Sequence, residues 1–175
     1  IASETAKFGT PVAVGYCLRY MPSARKMRDF IDRRQIGCLY NIAIEIGDFL
    51  PSWRPDKNYM DTVSASAHLG GGALLELSHE IDYAHWMLGD INIRSALLSF
   101  SSELDLDVED CADVLATTSR GEVLSLHLDF LQKSPFRQMR LIGEKGILKW
   151  DLLKNSIFSD DDLLNCVYEG SSWNR

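Results

Sequence analysis

An acid, an imidazole and a phenol occur close together in the sequence, directly after the triple glycine at residues 70–72. Helical spacing over residues 72–88 would place them on one side of a helix, where we expect Glu76, His79, Glu80 and Tyr83. A histidine beside a carboxylate is a proton-transfer pair, because the imidazole titrates near neutrality and the carboxylate can orient it. Glu76 and His79 are therefore candidate catalytic residues. The preceding glycines would let another backbone or a ligand approach closely.

Two other interpretations of this segment remain open. The first is an ordinary amphipathic helix surface with a side-chain pair spaced three residues apart. The second is a metal site, because the Glu-x-x-His spacing of Glu76 and His79 also serves di-iron four-helix bundles. Those bundles need a second such motif and two further glutamates, whereas the second half of this chain has strand patterns. We therefore expect no metal at this motif.

The elements that must position these residues follow from apolar periodicity. One stripe of the helix over residues 72–88 should pack on a sheet, and its members are Leu74, Leu77, Ile81, Ala84 and Leu88. An earlier helix is predicted over residues 22–35, with Pro22 in its first turn and Gly37 ending it. Residues 50–69 are predicted to form a long irregular loop, a kind of segment that is often functional.

Strand patterns cover much of the remaining chain. Residues 11–16 form a short apolar run typical of a buried strand, and residues 38–49 alternate as a strand does. Glycine-containing turns predict hairpins at residues 119–122 and 143–146. The predicted later strands are residues 92–102, 111–119, 122–132, 136–143 and 146–151, with a weaker pair near 155–168. The fold class is therefore α+β: an open, largely antiparallel β-sheet with helices packed on one face.

Composition excludes several classes of function. The net charge is −7, from 18 Lys+Arg against 25 Asp+Glu, and nucleic-acid binding requires a concentrated basic surface. No stretch approaches the roughly 18 apolar residues of a membrane helix, and the first residues lack the features of a signal peptide. We therefore predict a cytoplasmic protein with no nucleic-acid or membrane partner. The widely spaced cysteines are expected to be reduced and buried: Cys17, Cys38, Cys111 and Cys166.

The other three histidines carry weaker signals. His85 would lie towards the buried side of its helix and His127 lies in a strand pattern, so both are predicted to be structural. His68 borders the glycine run and is expected to line the same cleft. Neither the GxGxxG nor the GxxxxGK[ST] phosphate-binding motif occurs in the chain.

Four segments, taken in order, resemble the C-terminal α/β domain of the Gfo/Idh/MocA oxidoreductases, named for glucose–fructose oxidoreductase and inositol dehydrogenase. Residues 14–22 resemble the family's "VGxxxRxxP" segment, and Gly37 before a strand resembles its "iGxi" step. Trp53-Arg54 lies where members often carry "WR". Residues 70–89 resemble its "GGGxLxDxxxHxxDxxxxLxG" helix. The resemblance extends from about residue 11 to residue 151.

This resemblance implies a two-domain enzyme that uses NAD or NADP to oxidise or reduce a CH–OH group of a sugar or amino-sugar derivative. Residues 1–16 would be the remnant of a Rossmann domain, and residues 17–175 the substrate-binding and oligomerisation domain. The cofactor would be bound mainly by the absent domain, which also carries the family's catalytic lysine, so this chain alone should be inactive. The family's sheet implies a homo-oligomer. A non-catalytic sugar-binding or dimerisation module of the same fold is the alternative.

The resemblance also implies roles for single residues. His79 corresponds to the histidine that exchanges a proton with the sugar hydroxyl. Glu76 stands where most members carry an aspartate, but three residues before the histidine instead of four. Trp53 and Arg54 would face the cofactor or the substrate. We include Tyr83, from the candidate side of the helix, and His68 as candidate substrate-binding residues.

Overall fold

The computed structural model describes residues 2–160 and 168–169. Its α-helices are α1 (Ala2–Phe8), α2 (Pro22–Asp32), α3 (Ala73–Glu76) and α4 (His79–Leu88). Its strands are β1 (Leu39–Gly47), β2 (Ile91–Ser99), β3 (Cys111–Thr118), β4 (Val123–Asp129), β5 (Phe136–Gly143), β6 (Gly146–Asp151), β7 (Ser156–Ser159) and β8 (Tyr168–Glu169). Short 3₁₀ turns occupy much of the segment between β1 and α3. The predicted later strands up to β7 are therefore confirmed. Most of the second member of the weaker pair, residues 161–167, lies outside the described residues.

The described strands form one sheet in the order β2-β3-β4-β1-β5-β6-β7-β8. Strand β1 lies in the middle and pairs in parallel with β4, with Ile44 opposite Leu126. It pairs in antiparallel fashion with β5, with Ile44 opposite Met139. The other neighbouring pairs among the described strands are antiparallel. The prediction of an open, largely antiparallel sheet is confirmed.

The core lies on one face of this sheet. Because side chains alternate along a strand, Ile42, Ile44 and Ile46 of β1 all point to that face, and each is at most 2% exposed. They pack with apolar side chains of α2, α3 and α4. The opposite face, which we name the open face, carries Glu45 of β1 and His127 of β4, opposite each other in register. The described helices that pack on the sheet therefore lie on one face, as predicted, and none of them packs on the open face.

A polar contact inside the core joins α2 to strand β6. The indole Nε1 of Trp150, on β6, donates a hydrogen bond of 2.9 Å to the hydroxyl of Ser23 in α2. Both residues are 0% exposed. The ring of Tyr83, from α4, packs edge-on against Trp150 with centroids 5.2 Å apart. One large side chain therefore fixes the positions of both helices on the sheet.

Two elements near the amino-terminus differ from the sequence predictions. Residues 11–16 do not form a strand, and Val12 and Val14 are 60% and 72% exposed. A strand of the buried type needs neighbours on both sides, and the described residues provide none for this segment. Helix α2 ends at Asp32, earlier than predicted, because Arg34 adopts a positive φ of 50°. Gly37 lies beyond the helix, in the connection to β1.

The single helix predicted over residues 72–88 is two helices with a tight turn between them. Ser78 and Glu80 donate backbone hydrogen bonds to residues three positions earlier, at 3.3 and 3.2 Å. Such 3₁₀ bonding winds the chain more tightly than an α-helix, so α4 is rotated relative to the predicted wheel. Glu80 and Tyr83 are consequently 0% exposed, whereas we predicted both on the outward side.

The predictions that the cysteines and His85 are buried were also wrong for several of these side chains. Cys17 and Cys38 are exposed and Cys111 is half-buried, while Cys166 lies outside the described residues. The side chain of His85 is 61% exposed, because the rotation of α4 turns it away from the core. None of the described helices has the length and hydropathy that crossing a bilayer requires.

We expect Ser23→Ala to lower the free energy of unfolding by about 1–3 kcal/mol, because Nε1 of Trp150 would stay buried without an acceptor. Urea unfolding followed by tryptophan fluorescence measures the change. Ser102→Ala is the matched control, since Ser102 is exposed in the loop after β2 and should change the unfolding free energy by less than about 0.5 kcal/mol. Equal effects of the two substitutions would contradict this role for the buried hydrogen bond.

Candidate active site

The triple glycine allows close packing between α3 and the preceding loop. Gly71 and Gly72 donate backbone hydrogen bonds to the carbonyl oxygens of Ser66 and Ser64, at 2.9 and 3.1 Å. A side chain at Gly71 would overlap the backbone at residues 63–64, and Gly72 has a φ of 104° beside the carboxylate of Glu109. That carboxylate accepts a hydrogen bond from the backbone nitrogen of Leu74 at 3.0 Å. The glycines therefore hold the start of the helical segment tightly against its neighbours.

His79 is the first residue of α4, and its ring is half-buried. Its Nδ1 is buried without a hydrogen-bond partner among the described residues. The ring of Tyr16 contacts it edge-on, with centroids 5.5 Å apart. Burial lowers the pKa of His79, the Arg137 guanidinium lowers it further, and the Asp82 carboxylate opposes both. The neutral imidazole is therefore favoured, which is the form that can accept a proton.

The carboxylate predicted to partner His79 is held elsewhere. Glu76 accepts a hydrogen bond of 2.8 Å from the hydroxyl of Ser64, which is 1% exposed. In the described part of the chain, no hydrogen bond or ion pair joins Glu76 to His79. The tight turn between α3 and α4 interrupts the regular helical spacing from which the two side chains were predicted to share one face. A catalytic role for Glu76 stays a prediction.

A buried ion pair lies directly beside the candidate histidine. Arg137 of β5 donates two hydrogen bonds to Glu80 of α4, from Nε to Oε1 at 2.7 Å and from a terminal nitrogen to Oε2 at 2.9 Å. Sequence reasoning missed this pair, whose members are 57 residues apart. A signal was present, because Arg137 occupies an inward position on β5 in alternation with Met139 and Leu141. An arginine at such a position needs a buried anionic partner.

A second ion pair fixes the segment before α2 to the same helix. Arg19 donates to both carboxylate oxygens of Asp82, at 2.8 and 2.6 Å, and the Asp82 side chain is 8% exposed. Nearby, Tyr16 has a φ of 34°. That left-handed conformation is uncommon for a bulky residue. Arg19 therefore holds the segment that contains Tyr16 against α4, and the Tyr16 ring contacts His79 there.

Trp53 and Arg54 line the same shallow depression in the loop region. The ring of Trp53 packs edge-on against Phe130, with centroids 5.3 Å apart, and its Nε1 is buried without a described partner. Arg54 is exposed. The depression is also lined by Leu50, Tyr59 and Thr62. Trp53 is thus mainly a core residue in this chain, while Arg54 is available for contact.

The two remaining candidate residues occupy different environments. His68 is exposed, in the 3₁₀ turn just before the glycines. Tyr83 is 0% exposed, and burial raises the pKa of its phenol well above the usual value. Its ring belongs to the core against Trp150. We had predicted Tyr83 on the outward side of the helix with His79; the rotation of α4 turns it inward instead.

Solved structures of larger proteins share this fold. Levoglucosan dehydrogenase in complex with NADH and levoglucosan is 18% identical, with a TM-score of 0.72, over 90% of this chain and 46% of that one. The WlbA dehydrogenase from Bordetella pertussis, in complex with NADH and UDP-GlcNAcA, is 16% identical, with a TM-score of 0.70 over 85% and 43%. An inositol dehydrogenase homolog from Azotobacter vinelandii, complexed with NAD+, is 17% identical, with a TM-score of 0.67 over 89% and 42%.

This chain therefore spans less than half the length of these solved relatives. No curated protein sequence matches it. The family model described as the GFO/IDH/MocA C-terminal domain matches residues 24–149, which is more than half of the chain. The match confirms the family predicted from the four sequence segments, and the chain belongs to the GFO/IDH/MocA C-terminal domain family.

Proposed function

We propose that this chain is the substrate-binding domain of an NAD(P)-dependent oxidoreductase that acts on a CH–OH group of a sugar or amino-sugar derivative. The observation that carries the proposal is the state of His79: a half-buried, neutral imidazole at the start of a helix, with one ring nitrogen left unpaired. The named ligands of the solved relatives support the substrate class, because levoglucosan and UDP-GlcNAcA are both carbohydrates.

The division of the chain follows from the same proposal. Residues 1–16 would belong to the end of a dinucleotide-binding domain and residues 17–175 to the substrate domain. The exposure of Val12 and Val14, 60% and 72%, supports this division, because apolar side chains in an extended segment are candidates for burial against another domain. Tyr16, at the junction, already contacts the His79 ring.

The residues of this chain fit only part of the chemistry of a nicotinamide dinucleotide. The sequence contains no GxGxxG loop for the pyrophosphate, so NAD or NADP would be held mainly by residues outside the chain. The half-buried imidazole of His79, whose neutral form is favoured, fits a group that handles a proton beside the reacting carbon. When bound, the dinucleotide supplies or accepts the hydride.

The proton is the task of His79 in this proposal. Removing hydride from a carbinol carbon requires that its hydroxyl lose a proton, and a neutral imidazole can accept it. Since Nδ1 is buried, Nε2 would face the hydroxyl. Arg137 helps to keep the ring neutral before the substrate binds. Arg54 and His68 are proposed to bind the sugar, Trp53 and Arg54 to contact the cofactor, and Glu76 to act with His79 in catalysis.

In a protein that carries the proposed dinucleotide-binding domain, we expect His79→Gln to reduce turnover of NAD(P) with a sugar substrate by about a hundredfold or more, the usual scale of general acid–base catalysis. Turnover is measured by nicotinamide absorbance over a panel of sugars and amino-sugar derivatives. His85→Gln, on the exposed side of the same helix, is the matched control and should leave turnover unchanged. Near-normal turnover in folded His79→Gln protein would remove His79 from the mechanism. Sugar binding by a wild-type protein without any NAD(P)-dependent turnover would favour the non-catalytic module.

The electrostatic role of Arg137 can be tested without activity. We expect the imidazole of His79 to titrate with a pKa below the ordinary 6.5 in the wild-type protein. The double variant Glu80→Gln, Arg137→Gln removes the neighbouring cation without leaving one buried charge unpaired, so the pKa should rise; burial should still hold it below the ordinary value. NMR titration measures both, with the resonance assigned by His79→Gln. An unchanged or lower pKa in the double variant would contradict the role given to Arg137.

We also propose that the open face pairs with a second copy of the chain. Leu97 of β2, Leu115 of β3 and Val123 of β4 are 63%, 47% and 40% exposed and lie on this face in neighbouring strands. An antiparallel sheet with one face free of described helices offers a flat surface for such pairing.

We expect Leu115→Arg to convert the assembled protein to a smaller species in sedimentation velocity, because an arginine on the paired surface would be desolvated without a partner. Leu75→Arg is the control, since Leu75 is 57% exposed but lies on α3, on the helix side of the sheet. A monomeric wild-type protein, or assembly unaffected by Leu115→Arg, would exclude the open face as the interface.

A further inference from the structure

A cluster of side chains that could bind a metal ion lies around His127 on the open face, away from His79. Cys111 and Asp113 are two residues apart on β3 and therefore lie on the same face of the sheet. His127 of β4 is opposite Asp113 in register. One ligand atom from each of the three lies within 4.8 Å of the others. The strands fix this arrangement, because the pairing of β3 with β4 sets which side chains stand side by side.

The distances show how the three groups converge. Nδ1 of His127 lies 2.7 Å from Oδ1 of Asp113, and Sγ of Cys111 lies 3.7 Å from Oδ2 of the same carboxylate. Thiol, carboxylate and imidazole therefore meet around one point, on side chains that are half-buried or exposed. In the single chain, an ion from solvent would reach that point without crossing the core. Asp113 lies opposite Leu97 in register, so the cluster borders the surface proposed to pair with a second copy.

A fourth residue orients the imidazole from behind. Nε2 of His127 lies 3.1 Å from Oδ2 of Asp129, which is 2% exposed. Asp129 is itself held in place by the backbone nitrogens of Leu131 and Gln132 at 2.7 and 2.9 Å and by the Gln132 side chain at 2.8 Å. A proton on Nε2 bonded to Asp129 leaves the lone pair of Nδ1 directed at Cys111 and Asp113. Histidine ligands of metals are commonly oriented by a carboxylate in this way.

We propose that Cys111, Asp113 and His127 bind a Zn²⁺ ion on the open face, with Asp129 as the residue that positions the histidine. One sulfur, one oxygen and one nitrogen ligand suit zinc, whereas Mg²⁺ and Ca²⁺ prefer oxygen ligands throughout. Water completes the tetrahedron. The site is built from one chain alone and does not depend on the proposed oxidoreductase function.

The charges around the cluster favour a cation. Asp110 directly precedes Cys111 in the chain, and Glu45 stands opposite His127 on β1. A bound zinc ion would take the place of the proton on Nδ1 and of the proton on Sγ.

The test uses the purified protein, stripped of metal by a chelator and titrated at pH 8 with Zn²⁺ in a calorimeter and with Co²⁺ in a spectrophotometer. We expect one Zn²⁺ per chain, and a cobalt–thiolate charge-transfer band that reports bonding to sulfur. Cys111→Ser should abolish the band, and Asp113→Asn should weaken zinc binding at least tenfold. Asp129→Asn should keep the band and weaken binding by about 10–100-fold, the usual effect of losing a residue that orients a ligand.

Matched controls separate this cluster from adventitious binding. Cys17→Ser removes an exposed thiol and His85→Gln an exposed imidazole elsewhere in the protein, and neither should change zinc binding or the cobalt spectrum. A wild-type protein without the cobalt–thiolate band overturns the proposal, and this readout needs no variant to fold. Zinc binding that survives Cys111→Ser and Asp113→Asn unchanged also overturns it.

Discussion

Glu80 and Arg137 form a two-point ion pair inside the protein, and the position of α4 on the sheet depends on it. The Glu80 side chain is completely buried and that of Arg137 is 14% exposed, so neither charge has much water to solvate it. Removing one partner of such a pair typically costs about 3–5 kcal/mol, because the other charge is left buried and uncompensated. The pair therefore acts as a constraint: α4 must dock in the one rotation that brings Glu80 to β5. That same rotation buries Tyr83 and leaves His79 half-buried at the edge of the core.

The structural pair also affects the candidate chemistry. Burial lowers the pKa of His79, and the charge of Arg137 lowers it further, while Asp82 acts in the opposite direction. Asp82 is itself neutralised by Arg19. Two arginines from different parts of the chain thus bracket the helix that begins with His79. One member of each ion pair, Arg137 and Asp82, therefore also shifts the pKa of the imidazole, in opposite directions.

The two faces of the sheet give two histidines opposite properties. On the helix side, His79 loses solvent and lies near a cation, so its neutral form is favoured. On the open face, His127 lies between Asp113 and Asp129, and its pKa is raised to about 9. An imidazole held between carboxylates binds a cation in some form, either a proton or a metal ion. The alternation of side chains along β3 and β4 is what collects these acids, the thiol and the imidazole on one surface.

Much of the fold was determined by local sequence pattern. The strands from β1 onward and the hairpins at Gly121 and Gly146 follow from alternation and turn residues, because these signals act over a few neighbouring residues. The family could also be predicted, from short motifs in order. The tertiary structure alone decided the rotation of α4, the separation of Glu76 from His79, and the pairing of Glu80 with Arg137. Those features depend on a single tight turn and on contacts between residues far apart in the chain. A helical wheel assumes an unbroken helix, so it misses the turn. The partner of a buried charge is set by which strands and helices meet in the folded chain, which local sequence does not specify.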